Sequence, residues 1–123
     1  MRAVALVTVS KILAEVLEEE GVEGFEPAYE SYRADPVRGG ENTVGEMITY
    51  GYSFLSKARM TEALTVFELN AAGNPAAAAA QYHLGEAYRY AGRADDAIAQ
   101  YRRVLELDPE HAPSSARLAQ LGE

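Results

Sequence analysis

The chain has 123 residues, suited to one domain, and its 48% hydrophobic and 24% charged residues are an ordinary globular balance. Nineteen acids against eleven bases give a net charge of −8, which repels phosphate backbones and anionic lipid, so neither nucleic acid nor a membrane is an expected partner. The absence of cysteine excludes disulfides, zinc–cysteine sites and thiol catalysis, and leaves the compartment open, with the cytoplasm as the default expectation.

Met1 to Val9 is mildly apolar with one arginine. Ala3-Val4-Ala5 looks like a cleavage triplet, but no apolar region precedes it. We expect no signal peptide and read the segment as the first turn of a helix. Ser10 to Glu20 is amphipathic, with Ile12, Leu13, Val16 and Leu17 on one side, and Gly21 ends it. Val22 to Ala34 predicts a second helix, bent or started late by Pro27, with Phe25, Ala28, Tyr29 and Tyr32 as its apolar stripe. Asp35-Pro36 closes this pair, residues 10–36, and residues 37–43 form a loop around Gly39-Gly40.

The next unit, residues 44–77, opens with Thr43 and Glu46 at capping-box spacing. Its first helix carries Met47, Tyr50, Gly51 and Phe54. After a turn near Lys57 to Arg59, its second carries Ala63, Leu64, Phe67 and Leu69 and stops at Gly73. Residues 78–111 form a second unit, for which we expect Asn74 as helix cap and Pro75 at the first helical position. Gly92 breaks it in the left-handed region, and Ala97, Ile98, Tyr101, Val104 and Leu105 line the following helix until Asp108-Pro109. Pro113 to Leu121, within residues 112–121, is a short closing helix.

Shifting the chain by 34 residues superimposes the two units. Tyr50-Gly51 falls on Leu84-Gly85, Phe54 on Tyr88, Ala63 on Ala97, Phe67 on Tyr101 and Pro75 on Pro109. Small residues let helices cross closely, so Gly51 and Gly85 are expected to face Ala63 and Ala97, locked by the large residues around them. A helical glycine costs about 1 kcal/mol relative to alanine, and its recurrence points to a packing contact that offsets the cost.

This pattern resembles the tetratricopeptide repeat family over residues 44 to 111. Gln81 at the first large position and Asn70 and Val104 at the late small position depart from it. The resemblance implies an all-α fold of about seven helices, antiparallel hairpins stacked as a short right-handed solenoid. More narrowly, Phe67-Glu68-Leu69-Asn70, Leu84 to Tyr88, Ala97-Ile98 and Tyr101-Arg102-Arg103 look like the repeat tail of some bacterial beta-lactamase-like and esterase-like serine hydrolases.

In the repeat family the first helices line a concave groove that holds peptides. Carried over by position, the groove presents Ile48, Tyr52 and Leu55 from one unit and Ala79, Tyr82, Glu86, Arg89 and Tyr90 from the next. Tyrosine and arginine are favoured at binding hot spots. The resemblance therefore implies a protein or peptide partner. The alternative is that the flanking helices fill this face, and for Tyr52 and Tyr82 both readings stand open. The lysine–asparagine clamp that some relatives use for a chaperone's C-terminal carboxylate is absent, because Ile48, Tyr52, Tyr82 and Glu86 hold the comparable places.

Catalytic motifs are missing. No serine precedes a lysine by three, and there is no Gly-x-Ser-x-Gly elbow or glycine-rich phosphate loop. His83 and Glu86 share a helix face but lack the further ligands a metal needs, and His111 is expected in a solvated turn. The exposed Glu18-Glu19-Glu20 reads as a solvated helix end, Asp95-Asp96 as a helix start, and Arg102-Arg103 as a last turn. We expect a non-catalytic interaction module without metal or cofactor, a monomer or weak homodimer. The alternative is an accessory or oligomerising domain packed on a larger, hydrolase-type protein.

Overall fold

The computed structural model describes residues 8–123. Its elements are α1 (Val9–Glu20), a 3-10 turn (Val22–Gly24), α2 (Phe25–Ala34), α3 (Val44–Leu55), α4 (Met60–Gly73), α5 (Ala78–Tyr90), α6 (Ala94–Leu107) and α7 (Ala112–Gln120). The architecture is an all-α, tetratricopeptide-like helical repeat, without a strand among the described residues. The segment read as a helix's first turn lies outside these residues up to Val7. Thr8 caps α1, its side chain accepting from the Lys11 N–H, and Val9 opens the helix.

Each hairpin packs on the next. Helices α3 with α4 and α5 with α6 form the two repeat hairpins; α4 rests on α5, and α7 closes on α6. Helix α1 lies along α3 and α2 touches α4, so the first hairpin joins the same stack. Leu13, Phe25, Met47, Val66, Phe67, Tyr101 and Val104 are buried through the stack. Burying such side chains contributes roughly 1.5–3 kcal/mol each for the aliphatic and phenyl groups.

The close helix crossing is real, but its partner differs from the expected one. A Cβ built on Gly51 would lie 2.6 Å from the Phe67 ring, and one on Gly85 would lie 2.9 Å from Tyr101. The glycines are seats for aromatic rings of the second helix. Ala63 and Ala97 are buried, yet they are not the atoms that require glycine.

The two hairpins turn in the same way. Ala58, with φ of 57°, and Gly92, with φ of 76°, are both left-handed. The following N–H groups reach back five residues, Arg59 to the Phe54 carbonyl and Arg93 to the Tyr88 carbonyl, each at 2.9 Å. Arg59 then pairs with Glu62 and Arg93 with Asp96, and the two guanidinium groups lie over the rings of Phe54 and Tyr88.

Several local expectations are corrected. Thr43 makes no capping bond: its ψ of 2° aims the side chain away from the free amides, and Asn42 accepts from the Val44 N–H instead. Glu46 is drawn across to α1, where its carboxylate accepts from the Ser10 N–H at 2.8 Å and the Ser10 hydroxyl at 2.5 Å. Asn74 does not cap α5, nor does Pro75 begin it; Asn74-Pro75 lies in the turn and α5 starts at Ala78. Arg102-Arg103 lies mid-helix, Arg102 pairing with Glu123 and Arg103 with Glu106.

Asn74 serves the preceding helix. Helix α4 ends without a left-handed glycine, so its last carbonyls need other donors. The Asn74 side-chain amide donates to the Asn70 carbonyl at 2.9 Å, Gln81 to the Ala71 carbonyl at 3.0 Å, and Arg33 to the Gly73 carbonyl at 2.9 Å. Asn70 is itself fully buried and donates to the Val44 carbonyl at 3.1 Å. Two of the three departures from the repeat pattern are thus polar joints, Asn70 between the two helices of its own hairpin and Gln81 between one hairpin and the next.

Candidate functional site

Helices α3 and α5 lie side by side, with α1 on the far side of α3. The residues assigned to the groove fall on these two helices, but they differ in what they offer. Ile48 and Leu55 are half-buried against the core, Ala79 is exposed, and Tyr90 is the most open aromatic, at 59% exposure. The Arg89 guanidinium lies 4.8 Å from the centre of the Tyr90 ring, a cation–π contact at the surface.

Tyr52 and Tyr82 belong to a ladder of rings that crosses three helices. Tyr52 of α3 meets His83 of α5, with 5.4 Å between ring centres and a 2.7 Å hydrogen bond between its hydroxyl and His83 Nδ1. Tyr82 packs edge-on to His83 at 5.1 Å and reaches His111, at the start of α7, at 5.0 Å. Tyr82 also leans on Tyr101, and Tyr52 on Phe67, so both rings are half-buried. Burial pushes the Tyr52 hydroxyl up to about 12, with Glu86 next in effect. Burial lowers His83, and the opposing pull of Glu86 does not cancel it, so the ring is neutral at neutral pH.

His111 is not a solvated turn residue. It is half-buried and caps α7, Nδ1 accepting from the Ser114 N–H at 3.2 Å. His83 lies between helices, bridging α5 to α3 through Tyr52.

Glu86 stands apart from the other groove positions. It is buried and saturated: Tyr101 donates to it at 2.5 Å, Arg117 of α7 at 2.9 Å and Arg89 at 3.0 Å. Burial alone would raise its pKa, but bonds from Arg89, Arg117 and Tyr101 together hold it at about 2. The carboxylate therefore fastens α7 to α5. What remains toward solvent is one net positive charge from two arginines around one carboxylate, in a chain of net charge −8.

Sequence reasoning missed Arg117, His83 and His111 as parts of this face. His83 falls beside a groove position, and Arg117 and His111 belong to a half unit with no groove pattern to align. Among the described residues no group of three or more His, Asp or Glu side chains is placed to hold a metal ion, and no helix is long and apolar enough to cross a membrane.

Helix hairpins repeating at 34 residues, each with an aromatic ring seated on a first-helix glycine, define a helical-repeat protein. Residues 78–111, α5 and α6 with the turn that follows, match the tetratricopeptide repeat, so the chain carries at least one such repeat. No curated protein matches the chain. Repeats of this kind point to protein partners in general and to a non-catalytic role.

Proposed function

We propose that the chain is a non-catalytic interaction module that takes a partner segment along α3 and α5, with Tyr52, Tyr82, Arg89 and Tyr90 as the contacts and Ile48 and Leu55 as the apolar flank. The observation that carries this reading is Tyr90: a large, exposed ring held in place by Arg89 at the edge of a half-buried aromatic ladder. An ordered aromatic costs little entropy to bury and suits a hot spot.

Peptides selected from a random display library against the whole chain test it. Bound peptides are expected to slow amide exchange in α3 and α5. Tyr90→Ala is expected to weaken them by about 1–2 kcal/mol without moving the melting temperature. Protection confined to other helices, or indifference to Tyr90→Ala, overturns the assignment.

One observation favours the second reading, an accessory or oligomerising domain beside a larger, hydrolase-type protein. Glu86, central to the groove, is committed to α7, which shortens the surface left for a peptide. In that case the same face packs on a folded neighbour, and no short peptide is selected.

A further inference from the structure

A second surface, sharing no residue with the groove, lies between α2 and α4. It is a cleft of about 490 Å³ lined by Leu69 and Ala72 of α4 and by Tyr29, Glu26, Glu30 and Arg33 of α2. Glu26 and Glu30 are one helical turn apart, a like-charged pair that destabilises a helix by about 0.2–0.5 kcal/mol. Among the described residues neither carboxylate has a hydrogen-bond or ion-pair partner, and both are exposed.

The missing neutralisation has a visible cause. In the two repeat hairpins four arginines pair with a carboxylate three residues away: Arg59 with Glu62, Arg89 with Glu86, Arg93 with Asp96 and Arg103 with Glu106. Glu30 and Arg33 have the same spacing and do not pair. Arg33 is drawn away to the end of α4, where it donates to the Gly73 carbonyl, Asn74 Oδ1 and the Tyr29 hydroxyl. Its charge is set against the negative end of that helix. Arg33 remains in the lining of the cleft, but its guanidinium is committed to those three acceptors, and among the described residues Glu26 and Glu30 are left without a cation. The surplus extends along the same hairpin, where all seven carboxylates from Glu15 to Glu30 are exposed and none is in an ion pair among the described residues.

We propose that this cleft docks a cationic amphipathic segment of a partner protein, which lays an aliphatic side chain on Leu69 and Ala72 and sets lysine or arginine against Glu26 and Glu30. Charge complementarity selects this occupant: the two glutamates repel nucleic acid and anionic lipid, and an acidic segment would add to the existing repulsion. The inference does not rest on the groove reading, since the two surfaces lie on different helices.

The test uses a synthetic helical peptide of leucine and lysine, labelled for fluorescence anisotropy, and its counterpart with glutamate for lysine. The lysine peptide is expected to bind and the glutamate peptide not to. Glu26→Gln with Glu30→Gln is expected to weaken binding about tenfold. Ala72→Trp, at an exposed position, fills the cleft without changing charge and is expected to do the same. Asp95→Asn with Glu110→Gln removes equal charge elsewhere and is expected to change affinity by less than about twofold. Equal loss in that control means attraction to net charge alone and overturns the site. So does full binding to Ala72→Trp. A dimer in sedimentation that dissolves on Glu26→Gln with Glu30→Gln makes a second copy the occupant, and also overturns the proposal.

Discussion

Gly51 and Ala58 belong to one hairpin and are expected to respond in opposite directions to an exchange of alanine and glycine. Alanine at 51 gains about 1 kcal/mol of helix propensity but places its Cβ 2.6 Å from the buried Phe67 ring. Overpacking of that kind costs about 1–3 kcal/mol, so Gly51→Ala is expected to destabilise, and Gly85→Leu to unfold or nearly unfold the domain. Ala58 sits at a φ of 57°, where a side chain costs roughly 1–2 kcal/mol. Ala58→Gly removes that strain at some cost in chain entropy and is expected to gain about 1 kcal/mol. Urea unfolding of the three variants measures all of these. If Gly51→Ala were neutral, the ring would not need its seat.

At the scale of elements, Glu86 and Arg117 decide whether α7 stays on the stack. The Glu86 pKa is lowered from 4.5 to about 2 on folding, so its contribution is fully present above 4.5 and is lost as pH falls through 2. The stability gap between the parent and Glu86→Gln is expected to be on the order of 2–3 kcal/mol at neutral pH and to close across that window. A gap independent of pH would remove the carboxylate's charge from the account. Arg117→Ala removes only the link to α7. Amide exchange in Ala112–Gln120 is expected to accelerate while α3 and α4 keep their protection. Uniform acceleration would mean that the stack unfolds as one unit.

For the molecule as a whole, the charge is unevenly answered. The repeats carry their own arginine–carboxylate pairs, whereas the hairpin of α1 and α2 holds seven exposed carboxylates with no ion pair among the described residues. Three of them, Glu18 to Glu20, sit at the negative end of α1. Screening this self-repulsion is expected to raise the melting temperature by a few degrees between low salt and about 0.15 M, where the Debye length is about 8 Å. Glu19→Lys is expected to reduce that dependence. A melting temperature indifferent to salt would show that the repulsion is already relaxed by solvent.

The helices, their order and the 34-residue register were legible in the chain, because amphipathic spacing and the recurrence of Gly51 with Gly85 and Phe67 with Tyr101 are local or periodic signals. So was the tyrosine-rich face of α3 and α5. Helix ends are less legible. Thr43-x-x-Glu46 and Asn74-Pro75 carry the residues of local caps, yet Glu46 and Asn74 bond elsewhere. Glu46 takes a free amide of α1 that packing brings within reach, and Asn74 turns back to the carbonyl end of α4 while accepting from Arg33, choices that the spacing of a local cap does not record. The partition of charge follows the same reasoning. Composition alone sets a chain of net charge −8. Only the stacking of α7 on α6 buries Glu86 between two arginines, and only the meeting of α2 with α4 draws Arg33 away from Glu30. Periodicity determines which faces are apolar, because burial acts on every turn of a helix. The tertiary structure decides which polar groups are spent inside the fold and which remain for a partner, because the deciding bonds, Arg117 to Glu86 and Arg33 to Gly73, join residues far apart in the chain.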